Sequence, residues 1–147
     1  MSLTYNHVLV AVDGSKEAEC AFKKAVDVAK RNEAQLILAH VVDTTTYAAA
    51  EAYRVSMSES AKGYANELLD GYKKIALEAG VTDVLTEVAF GSPKTQISKT
   101  IAKKYQADLI VCGATGMNAV ERFVMGSVSL HISRYAKCDV LVVRTDM

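Results

Sequence analysis

The sequence has very little proline, no excess of charge of either sign, and no apolar run of membrane-spanning length. One proline among 147 residues, half of them hydrophobic, excludes a disordered or linker-like chain. Seventeen basic side chains balance seventeen acidic ones with no basic run, so the electrostatic footprint of a binder of nucleic acid or anionic membrane is missing. Every apolar stretch falls well short of the roughly 20 residues that cross a bilayer. Residues 1–6 carry no basic segment, and the apolar run 8–12 is too short for the core of a signal peptide. The expected location is the cytoplasm.

Cysteine is scarce in a telling way. Cys20, Cys112 and Cys138 are odd in number, far apart and without a Cys-x-x-Cys pair, which disfavours a disulfide framework and a zinc site alike. They read as small core residues. His7 and His131 share no metal-ligand spacing with each other or with a carboxylate, so no protein-built metal cage is expected. His40 lies in an apolar run and reads as a satisfied core histidine.

What remains is a regular alternation. A strand over residues 7–12 stops at Asp13-Gly14-Ser15, and Ser15 can cap a helix over 16–31 whose Ala18, Ala21, Phe22, Ala25, Val28 and Ala29 make one apolar stripe. Residues 35–42 form a second strand. A loop from 43 to 58, with a helical or coil part over 48–57, leads to a helix over 59–79. Its buried face is expected at Ala61, Tyr64, Ala65, Leu68, Tyr72, Ile75 and Ala76, and Gly80 ends it. A third strand over 84–90 ends at Gly91, and Ser92-Pro93 opens a helix with a capping hydroxyl and a first-turn proline. Ile97, Ile101 and Tyr105 supply the buried face of that helix. A fourth strand over 107–112 and a last one over 140–143 complete the set.

At 147 residues this is one domain, residues 1–147, with a five-stranded core. Alternating strands and helices of these lengths make a single open, doubly wound parallel α/β sheet with helices on both faces. Ligands of such sheets bind beyond the carboxyl ends of the strands, where strand order reverses. With order 3-2-1-4-5 that point lies between Asp13 and Gly113.

The chemistry concentrates after the fourth strand, in Gly113-Ala114-Thr115-Gly116, a nine-residue spacer holding a short helix over 118–125, and Gly126-Ser127. Glycines let a backbone approach a ligand without a Cβ in the way. Ser127 reads as the N-cap of a helix whose buried side takes Val128, Leu130 or His131, Ile132 and Tyr135. The free amides at the start of that helix suit a phosphate. The hydroxyls of Ser127 and Ser129 could add donors.

Gly113, Gly116, Gly126 and Ser127 form the pattern Gly-x2-Gly-x9-Gly-Ser/Thr, which resembles the ATP-binding signature of the universal stress protein family. The opening at residues 8–15 and the close at 138–144 resemble that family too, so the likeness covers essentially the whole chain. It implies a Rossmann-like, adenine nucleotide alpha hydrolase-like fold. It further implies that Asp13 contacts adenine or ribose and that Ala11 and Val41 line the base pocket, Val41 mainly through its backbone. Gly113, Ala114, Thr115 and Gly116 would wrap the ribose and phosphate path, with Met117, Asn118 and Ala119 alongside, while Gly126, Ser127, Val128 and Ser129 hold the phosphates. ATP, with Mg, is the implied ligand. The implied assembly is a homodimer through the edge strand Val140, Leu141, Val142 and Val143, which would otherwise be an unprotected edge.

This chain departs from the family at Ala114-Thr115, where members often carry Ser with His or Arg, and at Ser129, where Thr is common. A hydroxyl stays close in both places. No Gly-x4-Gly-Lys-Ser/Thr and no Gly-x-Gly-x-x-Gly is present, and no general base is evident, so no catalytic residue is assigned. The expected function is nucleotide binding that acts through dimer state or partners in a stress response. The alternatives are slow ATP hydrolysis or autophosphorylation on Ser127 or Ser129, and a nucleotide-independent interaction module. An adenylyl-transferring relative would need a longer loop than Asp13-Gly14-Ser15.

Overall fold

A computed structural model describes residues 4–43, 51–114 and 126–145, with the backbone alone for 51–58. Strands β1 (His7–Ala11), β2 (Gln35–Asp43), β3 (Val84–Gly91), β4 (Leu109–Gly113) and β5 (Asp139–Val143) form one parallel sheet in the order β3-β2-β1-β4-β5. This is the expected order. The helices are α1 (Lys16–Asn32), α2 (Glu51–Ala79) and α5 (Ser127–Tyr135), with a composite segment of α3 (Pro93–Thr95), a π-helical stretch Gln96–Ile101 and α4 (Ala102–Lys104) between β3 and β4.

Strand side chains alternate between the two faces of the sheet, and each face builds its own core. Val8, Val10, Leu36, Leu38, Leu109 and Val111 pack with Phe22 of α1 and with Leu69 and Ala76 of α2. Leu9, Ile37, Ala39, Ile110 and Cys112 pack on the other side with Ile97, Ile101 and Ile132. Burial pushes the Cys112 thiol up to about 11, as expected of an inert core residue. The whole predicted stripe of α1 is buried. Truncating Phe22 at its centre to alanine would cost about 3–5 kcal/mol.

Helix α2 starts eight residues before the expected 59, and its buried face is rotated. Ala65, Leu69 and Ala76 are buried, whereas Tyr64 and Ile75 of the expected face are exposed. Gly80, at φ +114, ends the helix as expected: its N–H bonds to Leu77 O and that of Val81 to Ala76 O.

The helix after β3 differs more. Ser92 sits at its N-cap but its hydroxyl makes no capping bond; its carbonyl accepts from Gln96 N at 2.9 Å. The π-helical stretch widens the next turn, and buried Ser98 donates its hydroxyl to Lys94 O at 2.7 Å there. Beyond Ile101, Tyr105 is only partly buried and donates to Glu87 Oε1, which Lys104 Nζ also reaches, each at 2.6 Å. That cluster lies on edge strand β3. At the opposite edge, the β5 side chains are half-buried: Val140 and Val142 join one core, Leu141 and Val143 the other. The outer backbone of β5 has no strand beside it among the described residues.

Candidate functional site

The turn after β1 is closed by its own side chains. Val12 leaves the strand, its N–H still on Ala39 O at 2.8 Å. Asp13 Oδ1 accepts from Ser15 N at 2.9 Å, and Ser15 Oγ accepts from Ala18 N at 3.1 Å, the expected cap of α1. Glu17 and Glu19 in the first turn answer the positive end of the helix dipole. Gly14 is required by its backbone, at φ +82, and a Cβ there would stand 2.9 Å from the hydroxyl oxygen of the exposed Tyr64, which can swing aside.

The turn after β4 is built differently. Gly113 pairs with Val143, and Ala114 N donates to Val143 O at 2.9 Å. The Ala114 carbonyl then accepts twice, from Gly126 N at 2.7 Å and from Ser129 Oγ at 2.7 Å. The Ala114 carbonyl therefore ties the end of β4 to the start of α5. Gly126, not Ser127, is the N-cap of α5, with φ −66 and ψ 159 and no side-chain capping bond; Ser127 is the first helical residue and is exposed.

No acidic residue stands in the first turn of α5. Helix geometry gives the amides of Ser127, Val128 and Ser129 no partner four residues back. Ser129 is 4% exposed and spends its hydrogen on the loop, so in this arrangement it is a brace and not a free donor. Ser133 Oγ in turn donates to Ser129 O. Leu130 and Tyr135, expected on the packed side, are half exposed, and Ile132 carries that side.

The sheet brings the two turns together. β1 lies between β2 and β4, with Ala11 level with Ala39 and Val10 level with Val111. Asp13, on the turn after Ala11, therefore stands between the strand carrying Val41 and the strand ending in Gly113. Ala11, Val41 and Val128 all pack against the same core. Thr115, Gly116, Met117, Asn118, Ala119 and the helix expected over 118–125 lie outside the described residues. Two residues read from the sequence as plain packing belong to the crevice: His40, whose Nδ1 bonds to Val12 O at 2.7 Å, and Tyr64, edge-on to His40 with centroids 6.2 Å apart. The signal available for His40 was a titratable side chain where β2 outruns β1. Among the described residues no three His, Cys, Asp or Glu side chains gather to hold a metal, and no helix is long and apolar enough to cross a membrane.

Order 3-2-1-4-5 makes the chain a doubly wound α/β domain with an uncapped helix start at the reversal of strand order. The chain belongs to the universal stress protein family: the family model matches residues 4–144. A Staphylococcus haemolyticus protein carrying that family name is 54% identical over 144 residues, covering 98% of this chain and 87% of its own length. Among solved structures, the universal stress protein UspA from Lactobacillus plantarum superposes with a TM-score of 0.87 at 32% identity, covering 97% of this chain and 100% of its own. A universal stress protein solved in complex with cAMP gives 0.74 at 26% identity, covering 97% and 99%.

Proposed function

We propose that this chain binds an adenine nucleotide, ATP with Mg, across the carboxyl ends of β1 and β4, and acts in a stress response through nucleotide-dependent dimer or partner contacts. The open start of α5 carries the reading: three first-turn amides, no side-chain cap and no first-turn acid at the switch point. Gly126 fits a phosphate there. Its dihedrals suit any residue, so backbone conformation does not demand the glycine, whereas close approach of a ligand would.

In this reading Gly126, Ser127, Val128 and Ser129 present backbone donors to the phosphates. Gly113, Ala114, Thr115, Gly116, Met117, Asn118 and Ala119 follow the ribose and phosphate path. Ala11, Asp13 and Val41 take the base and sugar, with the second Asp13 carboxylate oxygen left over from the turn. Magnesium would be held chiefly by the phosphates, since no carboxylate cluster is available to it among the described residues. The family member complexed with cAMP supports an adenine ligand. Dimerisation through Val140, Leu141, Val142 and Val143 would complete the backbone hydrogen bonding of the β5 edge. Of the two serines considered for autophosphorylation, the exposed Ser127 is the one whose hydroxyl is not spent on the loop.

Thermal unfolding of nucleotide-stripped protein with and without Mg-ATP tests the proposal. At a hundred times the dissociation constant, ATP should add about 2.7 kcal/mol, a rise in Tm of roughly 5–10 °C for a domain of this size. Gly126→Val should remove that rise. An unshifted, well-folded wild type would sink the assignment and leave a scaffold that works through protein contacts.

A further inference from the structure

Charge is balanced over the chain but not over the molecule. The helical layer on one side of the sheet, made of α3, the π-helical stretch, α4 and α5, carries Lys94, Lys99, Lys103, Lys104 and Arg134 and no acidic residue, and Lys137 follows just past α5. On the other side α1 and α2 mix acids with bases along their length. The helix dipole accounts for part of this, since Lys103, Lys104 and Arg134 stand in last turns, where cations belong. It would equally favour acids in first turns. α1 has them in Glu17 and Glu19, whereas neither α3 nor α5 has one. Among the described residues only Lys104 of this group is paired with a carboxylate, Glu87 at 2.6 Å. The acids nearest in sequence are turned to the segment that leads into β1: Asp108 accepts from Asn6 N at 2.8 Å and His7 N at 3.0 Å, and Asp139 accepts from the Tyr5 hydroxyl at 2.7 Å. Lys99, Lys103, Arg134 and Lys137 are left exposed.

An aromatic ring stands among these cations. Tyr135 is 50% exposed, packs on His131 with centroids 4.6 Å apart, and has Lys99 Nζ 6.0 Å from its ring centre. Lys99 thus reaches across the seam between the π-helical stretch and α5. We infer that this face of the α5 layer binds single-stranded nucleic acid, with Lys99, Lys103, Arg134 and Lys137 on the phosphates and a base stacked on Tyr135. Cations track a backbone, and a half-exposed ring beside them gives a splayed base a platform. A duplex keeps its bases stacked inside and would use the cations alone, and an acidic peptide would likewise leave the ring without a stacking partner. α4 and α5 both end just before the strands β4 and β5 begin, so the face lies toward the amino edge of the sheet. That is the end opposite the nucleotide crevice, and the two do not depend on each other.

The test is fluorescence anisotropy of a labelled oligothymidylate of about 12 nucleotides, titrated with the full chain over a range of salt. Four phosphate contacts predict that log K falls against log salt with a slope of about −3. Lys99→Ala and Arg134→Ala should each weaken binding and flatten that slope by about 0.7. Lys24→Ala on α1, an equal loss of charge elsewhere, should leave the slope in place. Tyr135→Ala should weaken binding about tenfold or more, and Tyr135→Phe, which keeps the ring, should restore it. No rise in anisotropy at low salt would overturn the inference. So would equal losses in Lys24→Ala and Lys99→Ala, since net charge alone would then be felt. Competition by a polyglutamate peptide as effective as that of unlabelled oligonucleotide, with a folded Tyr135→Ala binding like wild type, would overturn it in favour of an acidic protein partner. Displacement by Mg-ATP would overturn it by placing the oligonucleotide in the crevice, whereas a complex that persists supports the separate face.

Discussion

The helices that follow the neighbouring strands β1 and β4 both start at the carboxyl edge of the sheet, and they finish their first turns in opposite ways. At α1 the chain satisfies itself: Ser15 caps Ala18, Asp13 holds Ser15, and Glu17 and Glu19 meet the dipole. At α5 it does not, because a glycine stands at the cap and the one buried hydroxyl in reach, Ser129, is turned back to brace Ala114. An anion offered to both ends would meet negative side chains at the first and unpaired donors at the second. A glycine beside a helix start therefore means little until its neighbours are known. Gly14 is demanded by its own backbone, whereas Gly126 is free of any such demand.

The contrast can be broken deliberately. Crowding the open end with Gly126→Val removes the roughly 2.7 kcal/mol that Mg-ATP at a hundred times its dissociation constant adds, read as the lost Tm shift. In the absence of nucleotide the ranking of the glycines reverses: Gly14→Ala should cost about 2 kcal/mol in urea unfolding, and Gly126→Ala should stay within about 0.5 kcal/mol. Equal costs would erase the distinction between a conformational glycine and a ligand glycine.

Ser129→Ala cuts the brace while leaving Ala114 O its bond from Gly126 N, and should cost about 1.5 kcal/mol and raise hydrogen exchange at the start of α5. The caps sharpen the comparison further. Ser15→Ala should cost about 1 kcal/mol, and Ser127→Ala no more than about 0.5 kcal/mol, both by denaturant titration; a larger penalty at Ser127 would mean that α5 is capped after all.

The smallest effect lies away from both turns and serves as a control. Burial raises the Glu87 carboxyl, but hydrogen bonds from Lys104 and Tyr105 and the lysine's charge outweigh it, holding the group below its ordinary value. A depressed carboxylate contributes above its ordinary pKa and loses that contribution as pH falls through the lowered value. Wild type should therefore exceed Glu87→Gln in stability by less than about 1 kcal/mol near neutral pH, the ion pair being partly exposed. The gap should close in acid, below about pH 4, with the response to Mg-ATP unaltered throughout.

The sequence by itself determined the sheet and most of its helices. Apolar runs such as those of β1, β2 and β4 can be satisfied only by burial on both faces, and alternation with amphipathic helices leaves few topologies open. It determined the cap at Ser15 and the stop at Gly80, because both depend on residues within a few positions along the chain. The glycine pattern and its position after β4 were legible for the same reason. Tertiary structure decided everything that depends on a partner far away in sequence. It rotated α2 so that Leu69 is buried while Tyr64 reaches the crevice. It moved the cap of α5 from Ser127 to Gly126, because Ala114 claims both Gly126 N and the Ser129 hydroxyl. It also gave His40, one apolar-strand histidine among packing residues, a backbone partner, since only the stagger between β1 and β2 brings Val12's carbonyl within reach of its ring.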